Sequence, residues 1–260
     1  MKDSDNHLSF QSRRSPVVCR HACVSSSQPL ASSIGLDLLR RGANAADCAV
    51  AVAAALAVTE PCSTGLGGDM FCLYYKAADR TVSCINGSGK SPAALTLDVV
   101  QQHCLKSKCS KCKSKNKNKY ETATSSNDSD EDRFRESVHA ITIPGAAQGW
   151  EDMLRTHGSG KFTLAQLLEP AAVLAEEGFP VGPVTAHQWK KELWQVSRWL
   201  SDDDTTPTTT PTTTTTPVPL TVDGKHAPAA GEIFSNPDMA RVLRALGRDG
   251  AKAGLYAGQT

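Results

Sequence analysis

The densest group of residues that could do chemistry is a glycine cluster, 65-GLGGD-69. Glycine-rich loops bind phosphate when they follow a strand and open a helix, because the first N–H groups of that helix face the anion. Here a predicted helix precedes the glycines and a predicted strand follows, and no Gly-x-Gly-x-x-Gly pattern is present. Nucleotide binding is therefore disfavoured. We expect Gly65, Gly67 and Gly68 to allow positive φ angles and close backbone approach.

Three of the nine cysteines have a spacing that could bind a metal. Cys104, Cys109 and Cys112 form C-x4-C-x2-C, the start of a plant-type iron–sulfur pattern, but no cysteine follows to complete it. Three thiolates also fail to close a structural zinc site. We predict no metal and no cofactor, with a weak chelate in this lysine-serine repeat as the alternative. Packing is the favoured role of Cys19 and Cys23.

Hydroxyl and thiol nucleophiles give no recognisable catalytic pattern. The chain has no Gly-x-Ser-x-Gly elbow. Four histidines lie in or beside segments predicted to be ordered, and none has a serine or cysteine at a recognisable spacing: His21, His139, His157 and His187. The threonines of residues 205–216 lie in a low-complexity tract, which cannot hold one hydroxyl against a base. By spacing alone, the chain is a mixed α/β protein without a catalytic constellation.

Composition excludes several classes of function. The net charge of +1 gives no electrostatic reason to bind nucleic acid or an anionic membrane. The first 18 residues have no apolar core of a signal peptide, and no window reaches the ~18 apolar residues of a membrane span. We therefore expect a cytoplasmic protein with reduced thiols and no membrane partner.

Two helices must precede the glycine cluster. The first is predicted to begin at Pro29, with apolar residues every four positions, and to end before Gly42. The second follows almost at once, with Asn44 as its cap and Asp47 in its first turn. It runs to about Thr59 and is apolar on every face, which predicts burial all round.

Strands and further helices follow the cluster. Residues 70–76 and 81–87 predict a β-hairpin, and residues 92–103 a helix. Residues 138–150 predict a strand that enters a helix through a Pro-Gly pair. A capping box of Thr163 and Gln166 predicts a helix that reaches Glu177, with a kink at Pro170. A last helix is predicted from Pro237 to near Gly247. Core packing is the favoured role of three tryptophans: Trp189, Trp194 and Trp199.

Low-complexity stretches divide the chain. We predict a flexible N-terminus at residues 1–15 and disordered insertions at residues 104–137 and 201–228. Residues 16–260, which contain the two insertions, are predicted to form one partial domain.

The segment 42-GANAADCAVAVAAALAVTEPCSTGLGGDMF-71 closely resembles the γ-glutamyltransferase (glutathione hydrolase) family. Members have a Gly-x-Asn-Ala-x-Asp helix start, an Ala-rich helix and a Pro-x-x-x-Gly-x-Gly-Gly loop before a strand. Other segments match in register: 25–42, 141–150, 167–181, 231–250 and 255–258. The resemblance covers roughly residues 16–103, 138–200 and 229–258, and it omits the two predicted insertions.

This resemblance implies an α+β fold, the four-layer αββα sandwich of N-terminal-nucleophile (Ntn) hydrolases. It implies a proenzyme that cleaves itself and frees a threonine, whose own α-amine acts as base for its hydroxyl. That threonine and the oxyanion glycines belong to the small subunit, downstream of these residues. We therefore expect the N-terminal part of a large subunit, with no catalytic residue in this chain. Its partner is the small subunit, whose strands interleave with its own, and alone it is expected to be inactive.

One substrate-binding position falls within the chain. In glutathione-cleaving members an arginine four residues before a proline grips the α-carboxylate of the substrate. In 85-INGSGKSP-92 that position is Ser88, which cannot form the bidentate fork of an arginine. Lys90 could supply a point charge. The Gly-Ser-Gly-Lys pattern resembles a γ-glutamyltransferase-like branch without a signal peptide.

Three hypotheses for function follow from this resemblance. The first is a γ-glutamyltransferase-like proenzyme that transfers or hydrolyses γ-glutamyl or related acyl amides, with a small peptide-like substrate. The second is an acylase-like hydrolase of another amide, because the carboxylate clamp has changed. The third is a non-catalytic descendant with a binding or structural role.

Overall fold

The computed structural model describes residues 15–102, 137–200 and 220–257, with the backbone alone for 194–200. Its helices are α1 (Pro29–Arg40), α2 (Ala45–Thr59), α3 (Leu97–Val100), α4 (Ala146–His157), α5 (Leu164–Glu177), α6 (Pro183–Leu200) and α7 (Pro237–Ala251). Its strands are β1 (Met70–Lys76), β2 (Thr81–Gly87), β3 (Phe179–Pro180) and β4 (Ile233–Phe234). A 3-10 turn at Val138–Ala140 and a π turn at Lys252–Tyr256 complete the described elements.

Helix α2 is the centre of the core, and α1, α4 and α5 pack against it. Most of its alanines and all of its valines are buried. The predicted burial all round is wrong along one stripe, where Ala45 and Ala49 are exposed and Ala53 and Leu56 are half-buried, because small alanines can also face solvent at little cost.

The predicted capping box of α2 is confirmed: Asn44 Oδ1 accepts from the Asp47 amide, and Asp47 Oδ2 accepts from the Asn44 amide. The second oxygen of the buried Asp47 carboxylate accepts from the Ser159 amide at 3.1 Å. The cap therefore also holds the turn after α4.

Helices α5 and α7 pack against each other, and α5 also packs against α2. The predicted capping box of Thr163 and Gln166 is confirmed at the start of α5, which ends before Gly178 as predicted. On the solvent side of the pair, the Arg244 guanidinium of α7 forms ion pairs with Glu169 and Glu176 of α5.

The predicted hairpin is confirmed, with β1 and β2 antiparallel and Tyr74 opposite Ser83. Its two faces lie in different surroundings. Met70, Cys72 and Tyr74 point to the core and pack near α4, whereas the alternate residues of β1 face outward and are exposed. One face of the hairpin is therefore part of the core, and the other is apolar yet solvent-facing.

The short β3–β4 ladder contributes Phe179 and Phe234 to an aromatic cluster with Trp189. Trp189 of α6 is buried, as predicted, with its ring 4.8 Å from that of Phe234. Its indole N–H donates to the carbonyl oxygen of Leu220 at 2.9 Å. The side chains of Trp194 and Trp199 lie outside the described residues. Residues 220–228 fall in the second predicted insertion, yet this bond and the buried Pro228 pack them against the core.

Three predicted elements differ in the structure. Residues 141–145 are irregular rather than a strand, because one bond, from the Ile143 amide to the Lys90 carbonyl, is too little for a ladder. Within 92–102, the α-helix is limited to the single turn of α3. Helix α7 continues past Gly247 to Ala251.

Local packing explains the longer last helix. A Cβ at Gly247 would lie 2.7 Å from Cα of Ala165, so this glycine serves close helix packing rather than a helix end. The non-helical backbone comes at Gly250, with φ of 76°.

Several predictions fall outside the described residues. They concern the N-terminal 14 residues, the Cys104, Cys109 and Cys112 group, and the threonine tract at 205–216. The described residues form a mixed helix-and-sheet structure with two two-stranded sheets. The four-layer sandwich stays a prediction.

Candidate functional site

Three segments meet beside the open end of the hairpin: the glycine loop 65–69, the hairpin exit 87–90 and the approach to α4, residues 141–146. Their backbones are very close. A Cβ on Gly89 would lie 2.0 Å from the Ile143 carbonyl oxygen, and one on Gly145 would lie 2.0 Å from the Gly87 carbonyl oxygen. Real Cβ atoms do not approach oxygen so closely, so both positions require glycine. We call this meeting point the three-segment junction.

The hairpin exit carries the predicted substrate-binding residues Ser88 and Lys90. Beyond Gly87 the chain leaves the β ladder, and its polar backbone groups need other partners. The Ser88 amide donates to Asn86 Oδ1 at 3.0 Å, and the Gly89 amide donates to Asp69 Oδ1 at 2.7 Å. The Lys90 carbonyl accepts from the Ile143 amide at 2.9 Å. The loop is thus held at three successive residues while Ser88 and Lys90 are exposed.

The glycine loop contributes hydrogen-bond acceptors to the junction. The carbonyl oxygen of Gly68 accepts from the amides of Gly145 and Ala146, both at 3.0 Å, at the start of α4. A phosphate cradle needs the opposite polarity, with N–H groups pointing outward. Asp69 Oδ1 is also 3.3 Å from the Thr142 hydroxyl, which donates to it. The loop therefore ties the beginning of β1 to the beginning of α4.

The predicted conformational role of the three loop glycines is wrong. Gly65, Gly67 and Gly68 all have φ outside the left-handed region. A Cβ at Gly65 or Gly67 would have no described atom within 4 Å, and at Gly68 it would make an ordinary contact at 3.5 Å. Close backbone approach is instead required at Gly89 and Gly145. The sequence signal for these two was their place beside a predicted strand end and a predicted helix start.

A tyrosine near the end of the described chain covers the start of α4. The Tyr256 hydroxyl donates to the Pro144 carbonyl oxygen at 2.7 Å, and the Gln148 amide lies 3.3 Å from the same hydroxyl oxygen. The junction is therefore bounded on one side by the π turn that follows α7. Sequence reasoning did not identify Tyr256, since 112 positions separate it from Pro144.

A serine–histidine contact lies along the inner hairpin face, away from the exit. The Ser83 Oγ and His157 Nε2 atoms are 2.8 Å apart, and the His157 ring stacks on Tyr74 with centroids 4.3 Å apart. The His157 carbonyl oxygen accepts from Asn44 Nδ2 at 2.7 Å. The ring of His157 stacks on Tyr74 and bonds to Ser83, and its backbone carbonyl bonds to Asn44. These contacts favour a structural role in which His157 links the hairpin, α4 and α2. Because 74 positions separate Ser83 from His157, no local sequence pattern predicted this pair.

The remaining histidines and cysteines are dispersed. His21 and His187 are exposed and His139 is half-buried. Burial raises the pKa of the Cys48, Cys62 and Cys72 thiols, which keeps them protonated and poorly nucleophilic at neutral pH. Cys19 and Cys23, predicted to pack, are exposed free thiols.

Searches for metal and membrane sites apply to the described parts of the chain. Residues 15–102, 137–200 and 220–257 contain no group of three or more His, Cys, Asp or Glu side chains arranged to hold a metal ion. Among the helices in those ranges, none combines the length and apolar character needed to cross a bilayer.

Comparisons with known proteins agree on one family. Residues 31–260 match the family model described as gamma-glutamyltranspeptidase. The chain is 33% identical over 237 residues to the glutathione hydrolase-like YwrD proenzyme of Bacillus subtilis, covering 91% of this chain and 37% of that protein. It is 33% identical over 178 residues to the acylase ACY 1 proenzyme of a Pseudomonas species, covering 67% and 28%.

The comparison with solved structures indicates the same family. The gamma-glutamyltranspeptidase of Helicobacter pylori superposes with a TM-score of 0.65 at 25% identity, covering 94% of this chain and 59% of that one. The present chain thus spans 37% of the length of the YwrD proenzyme.

Proposed function

Because the chain belongs to the γ-glutamyltranspeptidase family, we propose that it is the N-terminal part of a proenzyme that transfers or hydrolyses acyl amides. The nucleophile in this proposal is a threonine of the small subunit, beyond residue 260, that self-cleavage exposes. Its α-amine would take the hydroxyl proton as the oxygen attacks the amide carbonyl. It would then pass that proton to the amide nitrogen as the C–N bond breaks, giving an acyl-enzyme and the free amine of the substrate. Water or an acceptor amine would then take up the acyl group. The described residues would bind substrate and supply no nucleophile.

The observation that carries this proposal is the held conformation of the hairpin exit. Ser88 occupies the position at which the family resemblance places carboxylate binding, and hydrogen bonds fix the backbone at Ser88, Gly89 and Lys90. A binding loop gains from such preorganisation, since less conformational entropy is lost when a ligand is taken up. Both candidate side chains are exposed, so a substrate could reach them.

The substrate is proposed to be a γ-glutamyl amide or a related acyl amide. Serine offers a carboxylate one hydroxyl donor, whereas arginine offers a charged fork with two parallel bonds. The Lys90 ammonium can add a point charge but not the fork. We therefore expect weak recognition of an α-carboxylate, and tolerance of acyl groups that lack one.

An acylase-like activity is the second candidate, and the same residue favours it. Loss of the carboxylate fork at Ser88 removes a reason to prefer γ-glutamyl groups, and one similar protein is named an acylase proenzyme. A non-catalytic descendant is the third. The proposed partner is the small subunit of the same polypeptide, and the proposed location is the cytoplasm.

The deciding experiment uses the full-length protein, assayed with a γ-glutamyl anilide and with glutaryl amides. Self-cleavage and anilide release would support the first function. Glutaryl turnover without anilide release at any concentration would favour the acylase. Absence of both cleavage and turnover in a properly folded preparation would leave the non-catalytic alternative. The 260-residue chain alone is expected to release no product.

A further inference from the structure

We propose that Asp69 is a positioning residue for the hairpin exit, and that its charge makes this loop selective against acyl groups with a carboxylate. The inference rests on the proposed function, in which the loop binds substrate. It adds a residue of the glycine loop to a site that sequence reasoning placed on Ser88 and Lys90 alone.

The contacts of Asp69 place it between the two candidate binding residues. Its Oδ1 atom accepts from the Gly89 amide at 2.7 Å, and Gly89 lies between Ser88 and Lys90 in the chain. The Thr142 hydroxyl donates to the same oxygen at 3.3 Å. One carboxylate therefore bridges the hairpin exit and the approach to α4.

The bond to Gly89 matters because the β ladder has ended. Strand β2 stops at Gly87, so the Gly89 amide has no cross-strand acceptor. Gly89 is also pressed against the Ile143 carbonyl oxygen, which leaves little freedom on that side. A charged acceptor roughly doubles the strength of such a bond over a neutral one. Without it, the loop between Ser88 and Lys90 would be held only by the hydrogen bonds at those two residues and by the contact with Ile143.

The charge of Asp69 follows from the same geometry. An oxygen 2.7 Å from the Gly89 nitrogen lies within about 5 Å of the Ser88 Cα atom, since these backbone atoms are close neighbours. A substrate carboxylate bound at Ser88 would therefore experience a like charge. At a separation of about 6 Å in a watery site, this repulsion weakens binding about threefold. A neutral acyl group would not be affected.

Hydrogen exchange on the full-length protein tests the positioning directly, without relying on catalysis. In Asp69→Ala the peptide covering residues 86–92 should exchange about tenfold faster, because the Gly89 amide loses its acceptor. Asp69→Asn retains an oxygen acceptor and should keep most of the protection. The control is Asp79→Ala at the hairpin turn, where the side chain pairs with Lys76. It should leave that peptide unchanged. Wild-type exchange in Asp69→Ala would overturn the proposal.

Kinetics of the full-length protein test the charge. Glutaryl and pentanoyl anilides differ only by a terminal carboxylate in place of a methyl group. Asp69→Asn should lower the KM for the glutaryl compound about threefold and leave that for the pentanoyl compound unchanged. Asp69→Ala loses the bond and the charge together, so it should raise KM about tenfold for the pentanoyl compound and only about threefold for the glutaryl compound, with kcat less affected.

The outcomes separate this inference from the proposed function. If the wild-type protein turns over neither anilide, the proposed function fails, and the exchange data still decide whether Asp69 holds the loop. If the wild type is active and Asp69→Asn shifts both KM values equally, selectivity by charge is refuted. If Asp69→Ala has wild-type KM values for both compounds, the positioning role in substrate binding is refuted.

Discussion

At the scale of single residues, Ser88 is the position on which substrate choice depends in our proposal. Its neighbours hold the backbone, so the side chain can change without losing the loop. Serine here offers one neutral hydroxyl, with Lys90 two residues away and the Asp69 carboxylate behind the peptide. A γ-glutamyl carboxylate would meet little net positive charge at this loop.

Restoring an arginine should therefore strengthen γ-glutamyl binding. In the full-length protein, Ser88→Arg should lower KM for a γ-glutamyl anilide about tenfold, because a charge-assisted bidentate pair replaces one neutral bond. Steady-state kinetics measure the change. Ser91→Arg adds the same charge three residues further on and serves as the control. An unchanged or higher KM in Ser88→Arg would contradict the alignment of this position.

A second residue-scale prediction concerns pH and the turn at Asp223. Hydrogen bonds from the His226 side chain, and then from backbone amides, lower the pKa of Asp223 from 3.8 to about 2. Because the folded-state pKa is the lower one, the stabilising contribution is complete above pH 3.8 and is lost as pH falls towards about 2. A carboxyl-carbon NMR titration should give this midpoint. In His226→Ala it should move up towards the ordinary value; an unmoved midpoint would rule out the histidine as the main cause.

At the scale of elements, the three-segment junction depends on glycines in two backbones rather than on those of the glycine loop. Gly89 and Gly145 allow the hairpin exit and the approach to α4 to touch, and the Gly68 carbonyl completes the contact. The cap of α2, through Asp47, holds the opposite end of α4. Helix α4 is thus held at both ends: at its start by the three-segment junction, and after its last residue by the cap of α2.

Alanine substitutions distinguish the two groups of glycines. Gly89→Ala should lower the free energy of unfolding by about 1–3 kcal/mol, because its Cβ would overlap a backbone oxygen that cannot move alone. Gly65→Ala adds the same methyl group in open space and should be close to neutral or slightly stabilising. Urea denaturation of the two variants gives both values. Equal destabilisation would show that the glycine loop is as constrained as the hairpin exit.

At the scale of the whole molecule, the outward hairpin face exposes a group of large apolar side chains to solvent. Phe71 and Leu73 are 70% and 78% exposed, with Tyr75 and Val82 beside them. Exposed apolar patches of this kind mark interfaces or aggregation-prone surfaces. The family resemblance implies that strands of the small subunit interleave with those of this chain, so that the chain without them exposes an unpaired sheet edge, which stays a prediction.

The 260-residue chain by itself should therefore bind an apolar dye and self-associate. Leu73→Lys should reduce both, since it places a charge in the middle of the face without disturbing the inner side of β1. Leu36→Lys, on the surface of α1, is the matched control because Leu36 is also partly exposed. Dye fluorescence and light scattering measure the two effects. Equal dye binding by both variants would contradict the assignment of this face.

Much of this fold could be predicted from local sequence patterns. The caps at Asn44 and Thr163, the all-apolar α2 and the alternating hairpin are short-range features, and each formed where the sequence predicted it. They can be read from sequence because hydrogen bonds and side-chain periodicity act within a few residues. The family motifs are equally local, and they indicated the family that the comparisons confirmed.

Tertiary contacts decided the rest. Residues 141–145 have strand-like composition but only one bond to the hairpin exit, so a ladder did not form. At the three-segment junction, the glycines with a required role are Gly89 and Gly145, and Asp69 has its partners in segments 20 and 73 positions away. Such contacts depend on where whole segments meet after packing around α2. No window of sequence contains both partners, which is why the junction had to be seen in three dimensions.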